Sequence, residues 1–112
     1  MVLVRGNHDA RAGDPPKELR VVCVSGLMAE SPFVFAHHPV RSDQGYVIAG
    51  HIHPAVRLHG AGKEASRLPC FWFGQETAVL PAFGEFTGLA VVSPVEGDRV
   101  WFVAEGRVVS VG

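Results

Sequence analysis

The feature that most constrains this chain is how often it is interrupted. Short β-branched and aromatic runs recur along it, and each is cut off by glycine, proline or a polar corner within a few residues. Val2-Leu3-Val4, Val21-Val22-Cys23-Val24, Phe33-Val34-Phe35-Ala36 and Tyr46-Val47-Ile48-Ala49 have the length and composition of strands rather than helices. After Pro54 the pattern is a β-meander. Ala55 to Leu58, Leu68 to Phe73, Ala78 to Leu80, Leu89 to Val92, Val100 to Val103 and Val108 to Val111 follow one another, separated by turns such as Gly60 to Lys63, Glu96-Gly97-Asp98 and Glu105-Gly106. Ala10 to Pro16 is loop-like. Pro15 or Pro16 can open one helical turn through Lys17-Glu18-Leu19, and nothing longer is predicted. The expected class is a strand-rich α/β fold. Domains of that class cover their sheets with helices, and this chain supplies almost none after Leu19.

At 112 residues the chain is one domain at most, and 47% apolar residues with a mean hydropathy of +0.20 are high for that size. Such a chain is expected to bury surface against something else: an N-terminal half supplied by further sequence, or a second copy of itself. The formal charge of −1 gives no global attraction to nucleic acid or anionic lipid, so any polyanion site must be local. Cys23 and Cys70 make no motif with each other; with no targeting sequence at Met1-Val2-Leu3-Val4, they are read as reduced, buried thiols of a cytoplasmic protein. No apolar run reaches the roughly 20 residues that span a bilayer, so no membrane association is expected.

The chemistry gathers at three corners. Five of the six histidines fall at His8, at His37-His38 and at His51/His53, each just after an apolar run. In open α/β sheets, functional groups collect beyond the carboxyl ends of strands. On an extended backbone His51 and His53 point to the same side, about 6–7 Å apart at 3.3 Å per residue, a spacing suited to two adjacent ions rather than one. Taken singly, each corner also has an ordinary reading, such as a turn in which Asp9 bonds the backbone. Taken together, the three favour a metal site. Imidazole with amide oxygen and no thiolate favours Mn²⁺, Fe or Zn²⁺ over soft metals or an all-oxygen cage.

Gly6-Asn7-His8-Asp9, the His37 corner before Pro39, and Gly50-His51-Ile52-His53 stand in the order characteristic of the calcineurin-like metallophosphoesterases. Arg67-Leu68-Pro69-Cys70-Phe71, Leu80 to Gly88 and the Pro54-Ala55-Val56 that follows His53 further resemble the bacterial ligase-associated DNA damage response endonuclease branch. The resemblance covers roughly residues 2–90. It implies the C-terminal part of an αββα sandwich and a metal-dependent phosphodiesterase, an endonuclease of DNA repair. Asn7, His37 and His51 would hold one ion and His53 a second, Mn²⁺ being the expected metal with Fe or Zn²⁺ as alternatives. His8 would be the catalytic acid, oriented by Asp9, and a phosphodiester such as single-stranded DNA the substrate.

The family pattern begins with an Asp-x-His signature and then a Gly-Asp signature ending in Asp or Asn, and neither stands ahead of Gly6-Asn7-His8-Asp9 in this chain. It is therefore expected to be a partial domain, residues 1–112, with an incomplete active site and weak or no activity alone. Two alternatives remain: a non-catalytic β-rich fragment binding a single metal, and a phosphodiesterase acting on small nucleotides. Arg57, Lys63 and Arg67 are candidates for a phosphate groove. The aromatic corner Phe83 to Thr87, Trp72 and Trp101 are assigned to core packing rather than base stacking.

Overall fold

The computed structural model describes residues 1–58, 66–84 and 88–111. Strands dominate, as the interrupted pattern predicts. They are β1 (Val2–Val4), β2 (Val22–Val24), β3 (Met28–Glu30), β4 (Phe33–Ala36), β5 (Tyr46–Ala49), β6 (Pro54–Leu58), β7 (Ser66–Phe73), β8 (Thr77–Val79), β9 (Ala90–Val91), β10 (Arg99–Ala104) and β11 (Arg107–Ser110). Among the described residues, helix is confined to a single four-residue turn, α1 (Asp9–Ala12), and a 3-10 turn at Lys17–Leu19. The 3-10 turn lies where Pro16 predicts it. The turn α1 was expected to be loop.

β1 and β2 form a two-stranded parallel sheet of their own. The other nine strands form one mixed sheet in the order β11-β10-β7-β8-β5-β4-β3, with β6 pairing both β7 and β9. The eight-residue β7 makes this possible by serving different neighbours along its length. Its first half, Ser66 to Pro69, pairs β6, and its second half, from Cys70, pairs β10 and β8. The layer therefore folds over at β7. Val56 on β6 packs on Cys70 and Val100, with Trp72 and Phe102 alongside.

β4, β5 and β8 run parallel at the centre. Alternation places Val34, Ala36, Val47 and Ala49 on one buried face. Val34 and Val47 are fully buried. At the far edge, Glu105 (φ 51°) and Gly106 (φ 72°) join β10 to β11. Positive φ at both central residues is the two-residue turn whose twist matches a hairpin. The hairpin β3–β4 has no counterpart in the sequence reading, because Met28-Ala29-Glu30 carries no β-branched signal and is held as a strand by its pairing with β4.

Cys70 is fully buried and Cys23 half-buried, both as free thiols. Burial pushes the Cys70 thiol up to about 11. No described helix is long and apolar enough to cross a membrane.

The layer is thin. Its radius of gyration is 15.7 Å and its shortest dimension 22 Å, where a compact chain of this length has a radius of about 13 Å. It exposes 8327 Å², against about 6,000 Å² for a folded monomer of its mass. Much of the excess is apolar: Phe71, Phe73, Trp101 and Val108 line one open face, and Val22, Leu27 and Val95 are more than half exposed.

Candidate metal centre

The site forms where the small sheet meets the large one, beyond the carboxyl ends of β1, β4 and β5. The loop after β1 is anchored first. Arg5 donates from Nε and Nη2 to the two carboxylate oxygens of Asp14, each at 2.8 Å, and from Nη1 to Ser25 Oγ at 3.0 Å. This planar, two-pronged pairing raises the Arg5 pKa and lowers that of Asp14. It ties the two ends of the loop together and fastens both to the end of β2. Within the loop, the Gly6 amide donates to Asp9 Oδ2 at 2.6 Å. Asp9 thereby closes the turn, the backbone bond its sequence position allowed, and His8 stands exposed as the N-cap of α1.

Opposite this loop, β4 ends at Ala36 and the chain bends through His37 and His38. The bend breaks strand alternation, so both imidazoles reach the same place. His37 lies directly over Gly6. A Cβ there would stand 2.5 Å from His37 Cε1 and 2.6 Å from Nδ1, so only glycine admits the ring. The third corner follows β5. The Gly50 amide donates to the His37 carbonyl at 3.0 Å, and His51 then adopts φ 72° and His53 φ 57°. This corrects the extended reading of the His-x-His pair. Both residues are left-handed, a region costly for most side chains but visited more readily by His, Asn and Asp.

Three donor atoms converge as a result. His37 Nε2 is 2.9 Å from Asn7 Oδ1 and 3.0 Å from His51 Nδ1. One ring hydrogen at most can be shared among three lone-pair-bearing atoms that face one another. Two donors bound at right angles to one ion with bonds of about 2.1 Å lie about 3.0 Å apart, so the trio fits a metal. The environment keeps His37 neutral, lowering its pKa through burial first and then through the nearby His38 and His51. The neutral form is the one that ligates. His38, which the sequence reading set aside, belongs to the same cluster. Its ring centroid is 4.9 Å from that of His37 and 4.2 Å from that of His51.

His53 is placed apart. Its Nδ1–H donates to the Gly88 carbonyl at 3.0 Å, which fixes the tautomer and leaves Nε2 as the lone-pair nitrogen. Neither Gly6 nor Gly88 was singled out from the sequence. Gly6 was legible only as part of Gly-Asn-His-Asp, and nothing local to Gly88 signals a contact with a residue 35 positions away.

Of the other candidates, Arg57 and Arg67 face each other across β6 and β7 and are both exposed, while Lys63 lies outside the described residues. Trp72 donates to Asp98 Oδ2 at 2.8 Å and packs beside Cys70, as the core assignment expects. Trp101 instead lies on the open face with Phe71, and Phe83 is fully exposed. Residues 85–87 of the aromatic corner lie outside the described residues.

The fold of this strand-rich layer, with imidazoles and an amide gathered at the carboxyl ends of its strands, is similar to that of a known nuclease. Among solved structures this chain is similar to the crystal structure of the Pseudomonas putida nuclease MPE, at 39% identity and a TM-score of 0.84 over 98% of its own length. The match covers 53% of that protein, so this chain spans about half of it. No family model and no curated protein matches the chain.

Proposed function

We propose that this chain carries part of the active site of a metal-dependent phosphodiester hydrolase of the calcineurin-like metallophosphoesterase class, in its ligase-associated DNA-repair endonuclease branch. The observation that carries the reading is the convergence of Asn7 Oδ1 and His51 Nδ1 on His37 Nε2, each within hydrogen-bond distance of it. The similarity to a protein described as a nuclease supports nucleic acid as the substrate class, with single-stranded DNA the form proposed.

Asn7, His37 and His51 would hold one ion, and His53, its tautomer fixed by Gly88, would face another. Bound divalent ions, Mn²⁺ being the metal proposed, supply an activated water and neutralise charge building on the phosphodiester. The chain's own residues do the rest. His8, exposed on the same loop as Asn7, gives its ring proton to the leaving oxygen. Asp9 acts indirectly, holding the turn that presents both. The reaction has no use for a membrane, and a cytoplasmic location follows from its proposed substrate.

The ligands contributed by Asp-x-His and Gly-Asp signatures are not in this chain, so the 112 residues alone are expected to hydrolyse diesters weakly or not at all. The test is Mn²⁺-dependent turnover of bis-p-nitrophenyl phosphate and of a single-stranded oligonucleotide. It compares the purified chain with a form joined to a segment bearing both signatures. Activity only in the joined form, abolished by His37→Ala, supports the reading. Full activity in the chain alone contradicts the division of the site, and none in either form contradicts the reaction.

A further inference from the structure

We propose that His38 is the fourth ligand of a one-ion site that this chain builds unaided with Asn7, His37 and His51, and that this site prefers Zn²⁺ to Mn²⁺. The proposal rests on the reading of the cluster as a metal centre, but not on the hydrolytic reaction. The ligand nitrogens of His37, His38 and His51 all lie within 4.8 Å of one another. Tetrahedral ligands with bonds of about 2.05 Å stand about 3.4 Å apart, so closing the set needs only small ring movements. The side chain that must adjust most is the one best able to do so: His38 is exposed, while His37 is pinned against Gly6 and both His37 and His51 are hydrogen-bonded in the trio.

The bend after β4 is the structural reason. Successive residues of a strand face opposite sides, yet here His37 and His38 reach the same cluster, their rings edge to face. Pro39 follows at once and restricts the backbone of His38. The chemistry then sets the metal. Three imidazole nitrogens and an amide oxygen bring no negative charge, and such a set suits Zn²⁺, whereas Mn²⁺ is the weakest of the first-row divalent ions and favours carboxylates. Among the described residues no carboxylate joins the cluster, and Asp9, the nearest in sequence, is engaged by the Gly6 amide.

The experiment is chelator-buffered titration of the purified chain with Zn²⁺ and with Mn²⁺, and a Co²⁺ titration followed in the visible. It is run on wild type, His38→Ala and Arg107→Ala, with circular dichroism confirming the fold of each. The expected result is one Zn²⁺ per chain, bound more tightly than Mn²⁺, and the intense visible bands of four-coordinate Co²⁺. His38→Ala should weaken Zn²⁺ about 10- to 100-fold and bleach those bands. Arg107→Ala, on the exposed edge strand β11 across the sheet from the cluster, should change neither. Wild-type affinity and spectrum in His38→Ala would overturn the assignment of His38 while leaving the metal centre standing. A wild-type chain that takes up no ion would overturn both.

Discussion

An added Cβ at Gly6 would stand 2.5 Å from an imidazole carbon of His37, and the backbone beneath it is held by Asp9. Gly6→Ala must therefore displace the ring and, with it, the nitrogen that Asn7 and His51 share. The expected outcome is a folded protein destabilised by about 1–3 kcal/mol, with Zn²⁺ affinity reduced at least as far as in His38→Ala; unfolding and metal titration of the same sample would reveal a variant with unaltered affinity. His37 also sets a pH dependence. Its folded pKa lies below the ordinary imidazole value of about 6.5, so the unfolded chain binds the proton more readily. The associated stability is complete above the ordinary value and is lost as the pH falls through it toward the depressed one. Urea midpoints measured between neutral and mildly acidic pH should fall in wild type and fall less in His37→Gln. At this scale the ligand types were legible, because side-chain chemistry is local. Their rotamers were not, because the partners lie on other elements.

β6 and β7 pair Arg57 directly with Arg67, two exposed like charges whose opposition costs stability in the absence of an anion. Arg67→Glu turns the pair into an attractive one and is expected to stabilise the chain by about 0.5 kcal/mol in urea unfolding. If this strand pair carries phosphate in the proposed reaction, removing both charges should flatten the salt dependence of single-stranded DNA binding. The slope of log K against log salt would fall by about 1.4, and an unchanged slope would exclude the pair from the groove. Among the elements, the runs of β-branched and aromatic residues announced themselves. The turn at Glu105-Gly106 was visible too, since positive φ at two successive positions has few sequence solutions. β3 was hidden, and so was the division of β7 between three partners, because pairing is decided by the neighbour rather than by the strand.

Across the whole molecule, the surface of 8327 Å² exceeds that of a compact monomer by roughly 2,000 Å², the scale of a substantial protein interface. The purified chain is expected to self-associate or to bind a segment that covers the open face of Phe71, Phe73, Trp101 and Val108. Light scattering coupled to size exclusion should report a mass above 12.0 kDa. A monodisperse monomer that binds no hydrophobic dye would contradict this. The core supporting the site is small, so it is sensitive: Val47→Ala, at a fully buried position, should cost about 2 kcal/mol.

The sequence by itself determined the strand-rich class, the three histidine corners and the chemical hardness of their ligands. Each depends on residue type and on neighbours only a few positions away. Tertiary structure alone decided that His37 and His38 share one cluster, that Gly6 exists to admit a ring, and that His53 is steered away by Gly88. It also decided that His51 and His53 bend through left-handed backbone instead of lying along a strand. These outcomes rest on contacts between residues tens of positions apart, and such contacts exist only once the two sheets have met.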